Sequence, residues 1–179
     1  VALLLFVVFA ETGLLIGFFL PGDSLLFTAG LLCGTGFFPT NIYSLVIGLC
    51  LAAIIGNIVG YYFGYKVGPA LFKKEDGLIF KKKYVEITRN FYSKNGGKTL
   101  VLGRFLPIIR TFAPILAGVI RVDFKKFMFY NVVGSIAWVF SLTLTGYFLG
   151  REYPQVKDYL EYIIIGLIIV TLIPVASTY

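Results

Sequence analysis

Apolar residues run along this chain in long blocks, at about 1–32, 42–72, 100–120, 127–150 and 162–179, and charge gathers in the connectors between them. A membrane-spanning helix needs about 20 consecutive apolar residues. Residues 42–65 and 127–150 carry no charged side chain, so they predict two transmembrane helices, the first running on to 72. Residues 162–179 predict a third. The other two blocks are interrupted. Glu11 breaks the first run, which then meets Pro21-Gly22. The block at 100–120 holds Arg104, Pro107, Arg110 and Pro114. Proline removes a backbone donor and clashes with the preceding turn, so a straight spanning helix is not expected in either place.

Connector charge sets the topology. Residues 73–99 hold eight Lys/Arg against three acids, and residues 121–126 hold Arg121, Lys125 and Lys126 against Asp123. Basic flanks stay on the cytoplasmic side. Both ends of 100–120 therefore lie inside, and the segment between them is expected to enter and leave by the same face as a re-entrant hairpin. Protein must bury the irregular backbone of such a hairpin. Residues 33–41 are uncharged, and 151–161 hold two basic and three acidic residues, which suits the outer face. Residues 11–32 then form a matching hairpin from outside. The connector 73–99, with Lys81-Lys82-Lys83 ahead of Tyr84, Ile87 and Phe91, reads either as a short helix on an anionic leaflet or as a solvated basic loop.

The two interrupted blocks echo each other. Phe19-Leu20-Pro21 followed by Ala29-Gly30 recurs as Phe105-Leu106-Pro107 followed by Ala117-Gly118. Asn57-Ile58-Val59-Gly60 recurs as Asn131-Val132-Val133-Gly134. One crossing helix separates the hairpins, so the copies are inverted. The expected fold is a single all-α integral membrane domain over 1–179: an inverted repeat in which each half is a re-entrant helical hairpin plus a transmembrane helix, with an additional C-terminal helix. Internal repeats of this kind build transporters around a central site.

Charge inside these blocks is where chemistry is expected. Low dielectric favours the neutral form of a carboxylic acid, so Glu11 and Asp23, with no basic neighbour in sequence, are candidates to bind and release protons. Asp23, just after Pro21-Gly22, also suits a helix cap. Guanidinium stays charged when desolvated and grips phosphate oxygens with two prongs, so Arg104 and Arg110 are candidates for an anionic head group. They would diverge by about 120° on an unbroken helix, and a break at Pro107 would let them converge. The bland alternative is that the arginines only neutralise the acids. Pro21, Gly22, Pro107, Pro114 and Gly118 are expected to shape the hairpins. Asn57 and Asn131 are expected to hydrogen-bond the broken hairpin backbones. Glycines 56, 60, 64 and 68 share one helix face and suggest close packing. Trp138 is mid-span and reads as core, and Tyr61, Tyr62 and Tyr65 read as packing or interface anchors.

Composition narrows the classes. The chain of 179 residues is 58% hydrophobic and only 14% charged, too apolar for a soluble domain. Its formal net charge of +7 sits in membrane connectors, which argues against nucleic acid as a partner. Cys33 and Cys50 lack metal-ligand spacing and read as packing residues; with no histidine in the sequence, no metal site, His-based triad or other cofactor is expected, and neither is an enzyme. No Walker A motif is present, so movement would draw on a gradient or run passively. Residues 1–20 do not read as a signal peptide, because Glu11 interrupts the run and no cleavage site follows; residues preceding Val1 are expected.

Glu11, Phe19-Leu20-Pro21-Gly22-Asp23, Gly56-Asn57 with Gly60-Tyr61-Tyr62 and Gly64, Gly103-Arg104-Phe105 with Pro107, Arg110, Pro114 and Ala117-Gly118, and Phe127 with Asn131, Gly134 and Trp138 together resemble the bacterial DedA family. That family is related to the eukaryotic VTT-domain lipid scramblases and to SNARE-associated-like membrane proteins. The resemblance covers nearly the whole chain. It implies two opposed re-entrant hairpins, a multi-pass protein of the bacterial cytoplasmic membrane, and a role in recycling undecaprenyl phosphate, moving phospholipid or maintaining the proton-motive force in the cell envelope. It also implies that Glu11, Asp23, Arg104 and Arg110 are essential. The expected function is a proton-coupled flippase for undecaprenyl phosphate or a related anionic lipid. Its partners are then a membrane lipid (polyprenyl phosphate or phospholipid) and protons, and a homo-oligomer is compatible with it. The alternatives are a proton/cation-coupled small-ion transporter and a phospholipid scramblase.

Overall fold

The computed structural model of the chain describes residues 1–14, 22–38, 40–71 and 107–153, together with 155 and 162. These residues form five helices and no strand: α1 (Ala2–Gly13), α2 (Gly22–Gly34), α3 (Ile42–Leu71), α4 (Pro107–Val119) and α5 (Phe124–Glu152). The predicted element at 73–99, the one at 162–179 apart from residue 162, and the candidates Pro21 and Arg104 lie outside the described residues.

Two of these helices are long and apolar enough to cross a bilayer, α3 over Ile42–Val67 and α5 over Phe124–Glu152. They correspond to the predicted spans at 42–72 and 127–150. Helix α5 starts earlier than predicted because Asp123 caps it, its side chain accepting the Lys126 N–H at 3.0 Å. Helix α2 has 13 residues, about 20 Å at 1.5 Å per residue, which is short of the roughly 30 Å hydrocarbon core. Helix α1 begins before the predicted hairpin start at residue 11 and puts Glu11 in its last turn; Leu14 then turns extended. Pro114 was expected to interrupt its segment. Instead it lies inside a continuous α4, which Pro107 opens at the position where a missing N–H is harmless.

The helices pack through small residues. Helix α2 lies mainly against α5, α4 against α3, and α1 against α3. On the first seam, a Cβ at Gly30 would overlap Thr143 O and one at Gly146 would overlap Phe27 O. On the second, a Cβ at Gly118 would overlap Tyr61 O and one at Gly64 would overlap Ile115 O. The pattern is the same: glycine and contacted residue stand three apart on each helix, and each glycine faces the other helix's carbonyl. Gly118, expected to shape a hairpin, is therefore a helix-crossing residue. Between α1 and α3, Gly13 meets Gly56 backbone to backbone. Backbones this close gain dispersion contacts that bulky side chains would prevent.

The apolar core gathers Val8, Leu26, Ala29, Leu45, Leu49, Ala53 and Val139, with the unpaired Cys33 and Cys50 among them. Outward, α3 presents Tyr43, Ile47, Leu51, Ile55, Val59 and Phe63, a stripe of exposed apolar residues four apart. Such a stripe suits lipid tails.

Candidate functional site

The C-terminal end of α1 meets the N-terminal ends of α2 and α4. Glu11 comes from the end of α1, Gly22 and Asp23 from the first turn of α2, Arg110 from the start of α4, and Trp138 from the middle of α5. Arg110 spans both acids: one terminal nitrogen pairs with Glu11 Oε1 and the other with Asp23 Oδ1. These are the two ion pairs among the described residues. The guanidinium suits the task because its fork is rigid and does not lose its proton.

Three further contacts fix the cluster. Trp138 Nε1 donates to Asp23 Oδ1 at 2.8 Å, and the Trp138 ring lies under the guanidinium, 4.4 Å from Arg110 Cζ. The Gly22 N–H donates to Glu11 Oε1 at 3.2 Å. A Cβ on Gly22 would overlap the Glu11 carboxylate, so glycine is needed for the close approach of α1 and α2. The acids sit at the α2 N-terminus, where the helix dipole favours negative charge. Arg110 sits near the α4 N-terminus, where the dipole opposes it, and the acids compensate.

Burial divides the cluster. Glu11 and Arg110 are buried at 0% and 4% exposure, whereas the Asp23 side chain is 34% exposed. Glu11 Oε2 and Arg110 Nε are buried with no hydrogen-bond partner among the described residues. Counted as ions, the cluster holds two carboxylates and one guanidinium. Asp23 is thus the accessible edge of a site whose interior is Glu11 and Arg110.

Three of the four charged candidates therefore meet: Glu11, Asp23 and Arg110. Arg104 lies outside the described residues. The Oδ1 of Asp23 is taken up by two side chains rather than by a capping bond. Asn57 Nδ2 donates to Ala53 O of its own helix at 2.7 Å, and Asn131 Nδ2 to Ile54 O at 3.2 Å. The second bond ties α5 to α3; neither is a bond to a hairpin. Trp138, read as core, is buried in it at 1% exposure, and its indole N–H also makes it a member of the cluster. One signal for it was available: a buried indole N–H needs an acceptor, and an uncharged span supplies few. Tyr61 behaves as expected, stacked on Phe127 with centroids 4.5 Å apart and its hydroxyl donating to Val122 O at 2.6 Å.

Fold and site together define a helical membrane protein with a charged cluster buried among its helices. A VTT domain matches residues 20–148. Protein DedA of Escherichia coli is 43% identical over 173 residues, covering 97% of this chain and 78% of that protein. An uncharacterised membrane protein of Mycobacterium tuberculosis is 44% identical over 171 residues, covering 96% and 74%. The inner membrane protein YqjA of Escherichia coli is 33% identical over 147 residues, covering 81% and 65%. The chain belongs to the DedA family of bacterial membrane proteins. No solved structure matches it.

Proposed function

We infer that the protein is a multi-pass lipid translocase of the cytoplasmic membrane that moves undecaprenyl phosphate or a related anionic lipid, coupled to protons. One observation carries the reading: a single buried arginine bridges two carboxylates, one interior and one accessible. Two acids and one cation leave a negative charge in low dielectric unless a carboxylate takes a proton. A lipid phosphate reaching the exposed edge competes with Asp23 for the outer prong of Arg110. A proton shared by the two acids weakens their hold on the guanidinium and favours the phosphate. Glu11 stays behind as the interior counter-charge. Arg104 is the proposed second grip, since guanidinium pairs suit phosphate oxygens.

The proposed architecture is the inverted repeat, with α1 and α2 as one re-entrant hairpin and α4 as the outgoing arm of the other. Two features support it: α2 is too short to span, and the α2–α5 and α4–α3 seams share one glycine pattern. Opposed short helices whose N-termini meet near mid-bilayer are a known way of binding anions in transporters.

The test is leaflet-resolved transfer of a labelled polyprenyl phosphate in liposomes holding the purified protein. Wild type is expected to move the label faster with an inward proton gradient. Arg110→Lys keeps the charge and loses the fork, so transfer should fall at least tenfold. Asp23→Asn, at the accessible edge, should keep the fold and lose the proton dependence. Transfer at the wild-type rate by both variants would sink the reading. Proton or cation flux in vesicles without the polyprenyl lipid would favour the ion-transporter alternative, in which the ion pairs are internal counter-charges.

A further inference from the structure

A second feature lies away from the charged cluster, where α4 turns into α5. Helix α4 ends in a Schellman turn: Arg121 N–H donates to Gly118 O at 3.0 Å and Val122 N–H to Ala117 O at 2.9 Å. The residue in the left-handed position of such a turn is usually glycine. Here it is Arg121, with φ 56°, the one non-glycine residue of positive φ among those described. Strained backbone that persists at a bulky residue points to a use for its side chain.

The surroundings identify the use. Arg121 is exposed, and its Cζ stands 5.1 Å over the Tyr65 ring. Phe124 lies 5.6 Å from the Tyr62 ring. Tyr62, Tyr65 and Phe124 are each exposed by 38–48%. Lys66 follows Tyr62 by one helical turn, and Lys125 follows Phe124; both are exposed. Among the described residues the neighbouring acid is Asp123, which is turned to the α5 backbone as its cap. Tyr61, bonded to Val122 O, holds the turn rigidly from beneath. The ledge lies at the ends of both spanning segments, near Val67 and Phe124, where head groups are found. The exposed stripe of Ile55, Val59 and Phe63 leads away from it along α3.

We propose that this ledge binds the phosphate head group of an anionic glycerophospholipid as a resident lipid, with Arg121 as the phosphate ligand. Guanidinium pairs with the phosphate, and its stacking on Tyr65 limits the freedom it loses on binding. Tyrosine hydroxyls face the head group, and the acyl chains lie along the α3 stripe. This site is separate from the Glu11–Asp23–Arg110 cluster and does not depend on the transport reading.

The experiment uses the whole purified protein in phosphatidylcholine nanodiscs carrying graded phosphatidylglycerol. Retained lipid is read by native mass spectrometry and protection by the melting temperature. Wild type is expected to retain phosphatidylglycerol over phosphatidylcholine. Arg121→Gly should raise the half-saturating phosphatidylglycerol fraction about fivefold, the worth of one basic side chain at an anionic surface. Without phosphatidylglycerol that variant should melt at or above the wild-type temperature, because glycine suits the turn. Thus a loss of retention in it cannot come from misfolding. Equal retention by wild type and Arg121→Gly would overturn the proposal, as would equal retention of the two lipids by wild type. Protection by inorganic phosphate equal to that by phosphatidylglycerol would also overturn it, because the site would then take free anion.

Discussion

Arg110 is the residue on which the charge balance of the interior turns, and its replacement by methionine gives the sharpest test. Methionine preserves much of the apolar stem and removes the fork. Glu11 then keeps one described donor, the Gly22 N–H at 3.2 Å, with its Oε2 already unpartnered and the whole side chain at 0% exposure. Removing one partner of a buried ion pair destabilises by about 3–5 kcal/mol, chiefly because the other charge is stranded. Asp23 suffers less: it is 34% exposed and keeps the Trp138 N–H. The loss therefore belongs mainly to Glu11. If so, Glu11→Gln in the Arg110→Met background, which makes the stranded group neutral, should recover about 2–3 kcal/mol. Alone, Glu11→Gln should lose about 1 kcal/mol, since the amide oxygen still accepts from both Arg110 and Gly22.

The chain supplies its own probe. Trp138 is the sole tryptophan in the sequence, and its ring lies 4.4 Å from the Arg110 guanidinium carbon. Unfolding in mixed micelles, followed by the shift of its emission, reports on the cluster itself. The four proteins of the cycle give a coupling energy directly. Additive losses, within about 0.5 kcal/mol, would refute the reasoning, because two independent residues cannot share a stranded charge.

Two other substitutions separate packing from charge. Trp138→Phe keeps a ring beneath Arg110 and deletes the donor to Asp23, so thermal stability followed by circular dichroism should fall by about 1–2 kcal/mol; Trp138→Leu should fall further by the lost cation–π contact, about another 1 kcal/mol. On α3, Gly64→Ala drives a methyl into Ile115 O, a backbone atom that cannot rotate away, and should cost about 1–3 kcal/mol. Gly48→Ala meets only the tip of Leu5, at 3.2 Å, and should be neutral or stabilising by up to about 1 kcal/mol through helix propensity. Equal melting temperatures for the two glycine variants would remove the case for a close seam.

The two long helices were legible because an uncharged run of that length has one economical fate in a bilayer. The acids and Arg110 stood out for the same reason: ionised groups in apolar runs demand partners or a function. What remained hidden was which groups meet. Nothing in local sequence joins residue 110 to residues 11 and 23; that contact depends on how α4 settles against α3, and there Gly64 was read only as a small packing residue and Gly118 as a hairpin shaper. Pro114 misled because helix propensity is a local rule, whereas packing of α4 against α3 holds the turn together around it. Trp138 was passed over because a lone aromatic in an apolar span has no pattern to mark it; only its indole N–H hinted at a partner.

The composition of the cluster has a further consequence for the proposed transport. Both ion pairs among the described residues, and the Trp138 bond, join a residue of the N-terminal half to one of the C-terminal half: Glu11 and Asp23 on one side, Arg110 and Trp138 on the other. The glycine seams join the halves too, but they are apolar and indifferent to charge, so they can slide or rock without stranding an ion. A ligand that takes Arg110 from Asp23 therefore alters one of the polar ties that hold this arrangement of the halves. Such a ligand has differential affinity for the two arrangements, which is the requirement for binding to shift their populations. On the proposed reading, phosphate capture and the change of access are the same exchange of partners on one guanidinium.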